Sequence, residues 1–191
     1  MARTARPILL LSLLIAGSCA LALAQEASLP PGRVIERIGC YGDPAESYAL
    51  YLPSNYTPAR KWPIVYAFDP MARGRVPVDK YQEVAERYGY ILVASNNSRN
   101  GPLYLSMGAS QAIWQDTHVR FPLAPRRAYA TTGFSGGARV ACALGRMAAG
   151  EVAGVIGMGA GFPLGPGQGP SVDLPFIFYG TVASATSIIP R

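Results

Sequence analysis

The serine in the stretch "AYATTGFSGGARVACALGRM", residues 128–147, stands in a setting that suits a nucleophile. The segment "GFSGG" fits the pattern G-x-S-x-G, with a short apolar strand predicted before it and a helix after it. Glycine neighbours have no Cβ, so two chain segments can pass closely and the Ser135 hydroxyl can stand clear at the end of a sheet. The N–H of Gly136, at the start of the helix, would then face negative charge developing on an attacked carbonyl oxygen. The alternative is an ordinary glycine-rich turn or a phosphate-cradling loop, although the stretch lacks the lysine of a P-loop.

The elements around this turn alternate between strand and helix. Apolar runs indicate the strands, and a helical spacing of apolar residues indicates the helices. Such alternation predicts an α/β fold, with a mostly parallel sheet, right-handed crossovers and helices on both faces. The predicted strands are 47–53, 62–68, 90–95, 127–132, 153–159 and 175–180, and the predicted helices are 78–89, about 103–119 and the segment that ends at about 148.

The first 24 residues are predicted to be a signal peptide. They contain the basic start "MARTAR", an apolar run too short to span a bilayer, and the small-residue cleavage site "ALA" before Gln25. Residues 25–191 are then a single domain of an exported protein, periplasmic or extracellular. An uncleaved membrane anchor is one alternative. Cys19 suggests a lipoprotein as another, but lipoprotein signals usually carry Leu or another aliphatic residue at the position that Ala16 occupies here.

Charge and cysteine usage narrow the function classes further. Removal of 1–24 takes away two arginines and no carboxylate, so the formal net charge falls from +6 to +4. The remaining basic residues are scattered, so neither a nucleic acid nor an anionic membrane is expected as a partner. Cys40 and Cys142 have no metal-ligand neighbours in the sequence, so no metal and no cofactor are predicted. Cys142 suits a small buried helix position, and a disulfide with Cys40 is the alternative that export would permit.

Four stretches together carry a resemblance to a known family. They are "SYALYLPSNY", "WPIVYAFDP", "GYILVASNNSRNGP" and "GFSGGARVA". In order and spacing the chain resembles secreted bacterial α/β-hydrolases related to polyhydroxybutyrate depolymerases and feruloyl esterases. The resemblance implies a serine hydrolase with Ser135 as nucleophile, acting on a small-molecule or polymeric ester. It also implies that the loop after strand 62–68 supplies a second N–H to the oxyanion. Pro70 has no N–H, so that donor is expected to be Met71 or Ala72.

The catalytic acid and base that the resemblance implies are not found where they are expected. The family order is Ser, acid, then His, but only Glu151 and Asp173 follow Ser135 as carboxylates, and no histidine follows it. Both carboxylates precede predicted strands, which places them at the sheet edge opposite to the serine. His118 lies near the end of the helix that leads into strand 127–132, and a strand of about six residues separates the two edges by about 20 Å.

These observations lead to two function classes. The first is a serine hydrolase that lacks the family's last strand and helix, a chain cut short and impaired in ester cleavage. The second is an inactive exported domain that binds an ester, glycan or polymer without cleaving it. Its crevice would be lined by side chains that follow the predicted strands, although asparagine is also an ordinary turn residue. The residues in question are Asp69, Asn96, Asn97, Asn100 and Ser135.

Overall fold

The computed structural model of the protein describes residues 29–160 and 174–181. In this part of the chain, strands and helices alternate after an initial pair of strands. The strands are β1 (Val34–Gly39), β2 (Ser47–Tyr51), β3 (Ile64–Phe68), β4 (Ile91–Ser95), β5 (Tyr129–Phe134), β6 (Val152–Met158) and β7 (Ile177–Thr181). The helices are α1 (Arg75–Tyr88), α2 (Leu103–Arg120) and α3 (Gly136–Met147).

The described strands form one seven-stranded sheet in the order β1-β2-β4-β3-β5-β6-β7. Strand β2 is antiparallel to β1 and to β4, and every other neighbouring pair is parallel. The carboxyl ends of β3, β4, β5 and β6 therefore meet at one edge of the sheet. The loops that follow these strands are the ones that can build a site together. The predicted α/β fold with a mostly parallel sheet is confirmed.

Helices cover both faces of the sheet, as neighbouring residues of β3 demonstrate. Ala67 belongs to an apolar cluster that includes Val78 and Ala85 of α1. Tyr66 points to the opposite face, where its hydroxyl lies 2.9 Å from Thr117 Oγ1 of α2. Helix α3 shares that second face, since Thr131 of β5 donates to a carbonyl oxygen of α3 there at 2.8 Å. Because the central strands are buried on both faces, they read as near-continuous apolar runs in the sequence.

The element boundaries differ from the predicted ones for local reasons. Helix α1 begins at Arg75 rather than at 78, because a proline in the first turn, Pro77, removes only an N–H that has no helical acceptor there. Strand β5 begins at Tyr129 rather than at 127, since Arg127 adopts a positive φ of 67° that a strand does not accommodate. Strand β1 was not predicted from the sequence.

The structure also bears on the disulfide alternative, while residues 1–24, which the membrane-anchor alternative concerns, lie outside the described residues. None of the helices in residues 29–160 and 174–181 combines the length and apolar character needed to cross a bilayer. Cys40 and Cys142 are both buried and both free, so the disulfide alternative is not realised. Burial is the main reason that the thiol pKa values rise, to about 12 for Cys40 and about 11 for Cys142. Asp173 also lies outside the described residues, and the expected lack of the family's last strand and helix concerns C-terminal residues that are likewise not described.

Candidate active site

Ser135 occupies a strained turn between β5 and α3. Its backbone angles are φ 53° and ψ −119°, a conformation that residues with a Cβ rarely adopt. Its N–H donates to the Met158 carbonyl oxygen at 2.7 Å, which extends the pairing of β5 with β6 by one residue. The side chain is half-buried, at the edge where the parallel strands end. Such a sharp turn between a strand and a helix is the setting that the G-x-S-x-G pattern predicts.

The glycines around Ser135 are required by close backbone approaches. A Cβ at Gly133 would collide with the Gly137 carbonyl group, and a Cβ at Gly137 would collide with the Phe68 carbonyl group. Strand β5, the start of α3 and the end of β3 therefore touch through their backbones. A Cβ at Gly136 would overlap the side-chain oxygen of Asn100. The motif thus brings three loops to one point, and larger residues would force them apart.

A cavity of about 510 Å³ opens beside Ser135. Gly136 lines it, and in the described part of the chain no acceptor is recorded for the Gly136 N–H, as expected for a donor reserved for an oxyanion. The role of this N–H stays a prediction. Of the three asparagines expected in the crevice, only Asn100 reaches this cavity. Its own N–H donates to the Pro70 carbonyl oxygen at 2.8 Å, which ties its loop to the loop after β3.

Asn96 and Asn97 instead connect the loop after β4 to β1 and β2. The Asn96 amide donates to the Glu36 carbonyl oxygen at 3.0 Å. The Asn97 side-chain oxygen accepts the Ser47 N–H at 3.0 Å, and its amide donates to the Ala45 carbonyl oxygen at 3.1 Å. Both side chains are thus used to fix the loop, and neither lines the cavity beside Ser135. Their part in binding a ligand stays a prediction.

Asp69 and Met71 are hydrogen-bonded to each other. The Met71 N–H donates to Asp69 Oδ1 at 2.8 Å, and the Arg73 guanidinium binds both oxygens of the same carboxylate at 2.9 and 3.0 Å. Burial alone would raise the pKa of Asp69, but these hydrogen bonds outweigh it and hold the pKa below its ordinary value. The Met71 N–H could reach an oxyanion only if it left Asp69, so the second donor stays a prediction. Asp69 lines a separate, mostly apolar cavity of about 280 Å³ beside Phe134.

His118 and Glu151 lie at the opposite edge of the sheet, as the sequence predicts. His118 is in the last turn of α2, where its Nδ1 lies 2.7 Å from the Trp114 carbonyl oxygen. Its ring contacts that of Tyr129, the first residue of β5. Glu151 directly precedes β6, and one of its carboxylate oxygens lies 3.8 Å from His118 Nε2. The six-residue strand β5 separates this pair from Ser135 by about 20 Å.

Two arginines in the cavity were not singled out from the sequence. Arg99 in the loop after β4 and Arg139 in the first turn of α3 both line the cavity with Ser135. For Arg139 the sequence contained a usable signal, because a basic residue in the first turn of a helix is disfavoured by the helix dipole. Within residues 29–160 and 174–181, no group of three or more His, Cys, Asp or Glu side chains is arranged to hold a metal ion.

Comparisons with solved structures find chains of the same fold. The feruloyl esterase module from Clostridium thermocellum complexed with sinapinate matches with a TM-score of 0.53 and 16% identity, over 73% of this chain and 58% of the module. Fluorophosphonate-binding serine hydrolase F of Staphylococcus aureus matches with a TM-score of 0.54 and 15% identity, over 67% of this chain and 57% of that protein. Acetyl xylan esterase from Aspergillus awamori matches with a TM-score of 0.52 and 17% identity, over 66% of this chain and 53% of the esterase.

The matched regions are a limited part of those proteins. A ferulic acid esterase, at a TM-score of 0.52 and 15% identity, is covered over 60% of its length. A scan of family models finds no match, and a search of curated proteins finds none either. At these identities the likeness concerns the fold. The chain has an α/β-hydrolase fold, with Ser135 at the turn between its fifth strand and the helix that follows.

Proposed function

We propose that the protein is an ester-directed serine hydrolase domain in which Ser135 is the nucleophile. The observation that carries this proposal is the backbone of Ser135, held at φ 53° at the C-terminal edge of a parallel sheet with a helix starting at the next residue. Strain of this kind persists where the surroundings impose it, and it is concentrated at functional sites. The solved structures of this fold that are named as esterases support a carboxylic ester as the substrate.

The chemistry proposed for this geometry is acyl transfer. The Ser135 Oγ attacks the ester carbonyl carbon, and the Gly136 N–H donates a hydrogen bond to the oxygen as it becomes negative. The ester C–O bond then breaks, the alcohol leaves with a proton, and water hydrolyses the acyl-serine to release the acid. The Oγ proton has to pass to a base, and the single histidine of the chain lies at the other edge of the sheet. We therefore expect these 191 residues by themselves to turn over esters very slowly.

The nucleophile can be tested without turnover. A neutral phosphate triester such as diethyl p-nitrophenyl phosphate should modify Ser135 in a slow, stoichiometric reaction, read by peptide mass spectrometry. Ser106 is an internal control, because it lines the same cavity but its hydroxyl is engaged with the Arg99 backbone. Modification of Ser106 at the same rate, or of neither serine, would contradict the proposal.

A second candidate function is an ester- or glycan-binding domain without catalysis. One observation favours it, namely that among the described residues lining the cavity beside Ser135 there is neither a carboxylate nor an imidazole. In this case the Ser135→Ala variant would bind an ester as tightly as the original chain does, and the triester would leave Ser135 unmodified. The two candidates therefore give opposite results in the labelling experiment.

A further inference from the structure

The charge of the cavity beside Ser135 is unusual for a site that would receive a neutral ester. Two arginines, Arg99 and Arg139, are among its lining residues, and none of the described lining residues is acidic. Its other walls include Leu103 and Val140, which offer apolar contact but no charge. An exposed arginine usually finds a carboxylate neighbour or a solvated surface, whereas these two share one concave space with a candidate nucleophile.

The backbone of Arg99 is fixed, so its side chain leaves from a defined point. The Arg99 N–H donates to the Ser106 hydroxyl at 3.2 Å, and that hydroxyl donates back to the Arg99 carbonyl oxygen at 3.0 Å. The Arg99 side chain forms no ion pair with any carboxylate in the described residues. Burial of Glu46 and the nearby Asp43 carboxylate raise the pKa of Glu46, and the positive charge of Arg99 offsets part of that rise.

Arg139 lies at a position where a positive charge does not stabilise the helix. It is the fourth residue of α3, in the first turn, and that turn contains no acidic residue. The free N–H groups at a helix start carry partial positive charge, so a cation there is repelled rather than stabilised. In the described part of the chain Arg139 has no ion-pair partner that would compensate. Helix stability therefore does not account for an arginine at this position, whereas binding an anion would.

We propose that Arg99 and Arg139 form an anion-binding subsite, and that the ester recognised beside Ser135 carries an anionic oxygen group, a carboxylate or a phosphate. This inference rests on the proposed function, because it assigns the substrate class of the same cavity. Guanidinium groups present paired N–H donors that match the two oxygens of such a group, and hydrogen bonds between charged partners are stronger than those between neutral ones. The apolar walls would receive the carbon skeleton between the anionic group and the ester.

Binding of two matched esters to the full chain tests this subsite directly. Monomethyl succinate carries one carboxylate, and dimethyl succinate is its neutral counterpart. We expect the anionic ester to bind about tenfold more tightly, as measured by calorimetry or by NMR titration. The variants Arg99→Gln and Arg139→Gln should each weaken the binding of the anionic ester more than that of the neutral ester, and so remove most of that preference. Arg126→Gln is the matched control, since it removes the same charge from an exposed residue near the opposite edge of the sheet.

Competition between monomethyl succinate and small anions identifies which anionic group the subsite recognises. If inorganic phosphate displaces monomethyl succinate at lower concentration than acetate does, the recognised group is a phosphate, and the reverse order identifies a carboxylate. Either order supports the subsite. The inference is overturned if the two esters bind equally, if neither anion competes, or if Arg126→Gln weakens binding as much as the cavity variants do. Circular dichroism of each variant establishes that the fold is retained.

The labelling of Ser135 by the neutral triester separates this inference from the proposed function. Labelling without any preference for the anionic ester would overturn the anion-binding subsite and leave the nucleophile in place. A clear preference for the anionic ester without labelling would overturn the nucleophile and leave an anion-binding cavity.

Discussion

His118 lies against Tyr129, with their ring centroids 5.5 Å apart, at the start of the strand whose far end precedes Ser135. The same imidazole contacts Trp114, with a centroid distance of 4.5 Å. These contacts make His118 part of the packing between α2 and the sheet. A group that is held at one edge of a sheet cannot accept a proton at the other edge.

The first prediction follows from this placement. Hydrolysis of p-nitrophenyl acetate by the purified chain should be no faster than hydrolysis by Ser135→Ala, because neither a carboxylate nor an imidazole is among the described residues that line the cavity of the serine. His118→Ala should leave that rate unchanged while it lowers the free energy of unfolding by about 1 kcal/mol through lost ring contacts. A rate that depends on both Ser135 and His118 in a folded variant would show that the two groups act together.

The second prediction concerns strain at the candidate nucleophile. Ser135→Gly should raise the free energy of unfolding by about 1 kcal/mol, because glycine adopts the backbone angles of this residue without the Cβ clash. Ser135→Ala retains the Cβ and should bring no such gain. Urea unfolding of the two variants provides the measurement, and equal stability of both would mean that the turn stores no strain.

The third prediction concerns the close approach of β3 and α3. Gly137→Ala should lower the free energy of unfolding by about 2 kcal/mol or more, since its Cβ would meet the Phe68 carbonyl group and the backbones would have to separate. Gly108→Ala is the matched control in α2, where a Cβ would meet nothing within 4 Å. That change should stabilise the protein by about 0.5–1 kcal/mol. A Gly137→Ala protein as stable as the original would refute the contact.

The fourth prediction concerns a buried carboxylate that holds the start of the sheet to α2. Asp116 accepts hydrogen bonds from the Tyr41 N–H at 2.8 Å, the Tyr48 hydroxyl at 2.6 Å and Arg120 Nε at 2.9 Å. Burial would raise the pKa of Asp116, but these donors outweigh burial and lower the pKa from its ordinary value of 3.8. Asp116→Asn should cost about 3 kcal/mol at neutral pH, because it leaves Arg120 without its partner.

The pH dependence of this effect has a defined sign. A carboxyl with a lowered folded-state pKa contributes stability at pH values above its unfolded pKa, and the contribution is lost as the pH falls through the folded value. The difference in unfolding free energy between the original chain and Asp116→Asn should therefore shrink below about pH 4. Asp79→Asn is the control, since Asp79 pairs with Arg75 on an exposed helix face and should matter little at any pH. A difference that grows on acidification would contradict the assignment.

The fifth prediction concerns export. The basic, apolar and small-residue pattern of residues 1–24 predicts that the exported protein begins at Gln25. N-terminal sequencing of protein recovered from outside the cytoplasm provides the measurement. Protein that begins at Met1, or that carries lipid on Cys19, would contradict the predicted cleavage.

Much of the fold and the position of Ser135 could be predicted from the sequence, because both depend on local patterns. Buried parallel strands have to be apolar on both faces, which marks β3 and β4 without ambiguity. The glycines before and after Ser135 mark a turn that only small residues allow, and the structure shows the backbone contacts that require them. The distance of His118 from Ser135 followed from strand length alone.

The tertiary structure decided which side chains surround the serine. Residues 96–100 all follow β4, yet two of the asparagines turn towards β1 and β2 while Arg99 and Asn100 face the cavity. The Met71 N–H, a candidate donor to the oxyanion, donates to the neighbouring Asp69 in this structure. Loop residues choose among several hydrogen-bond partners, and that choice depends on segments far away in the sequence, so no local pattern predicts it. Arg99 and Arg139 come to line one cavity in the same way, because the loop after β4 and the start of α3 meet only after the parallel strands have assembled.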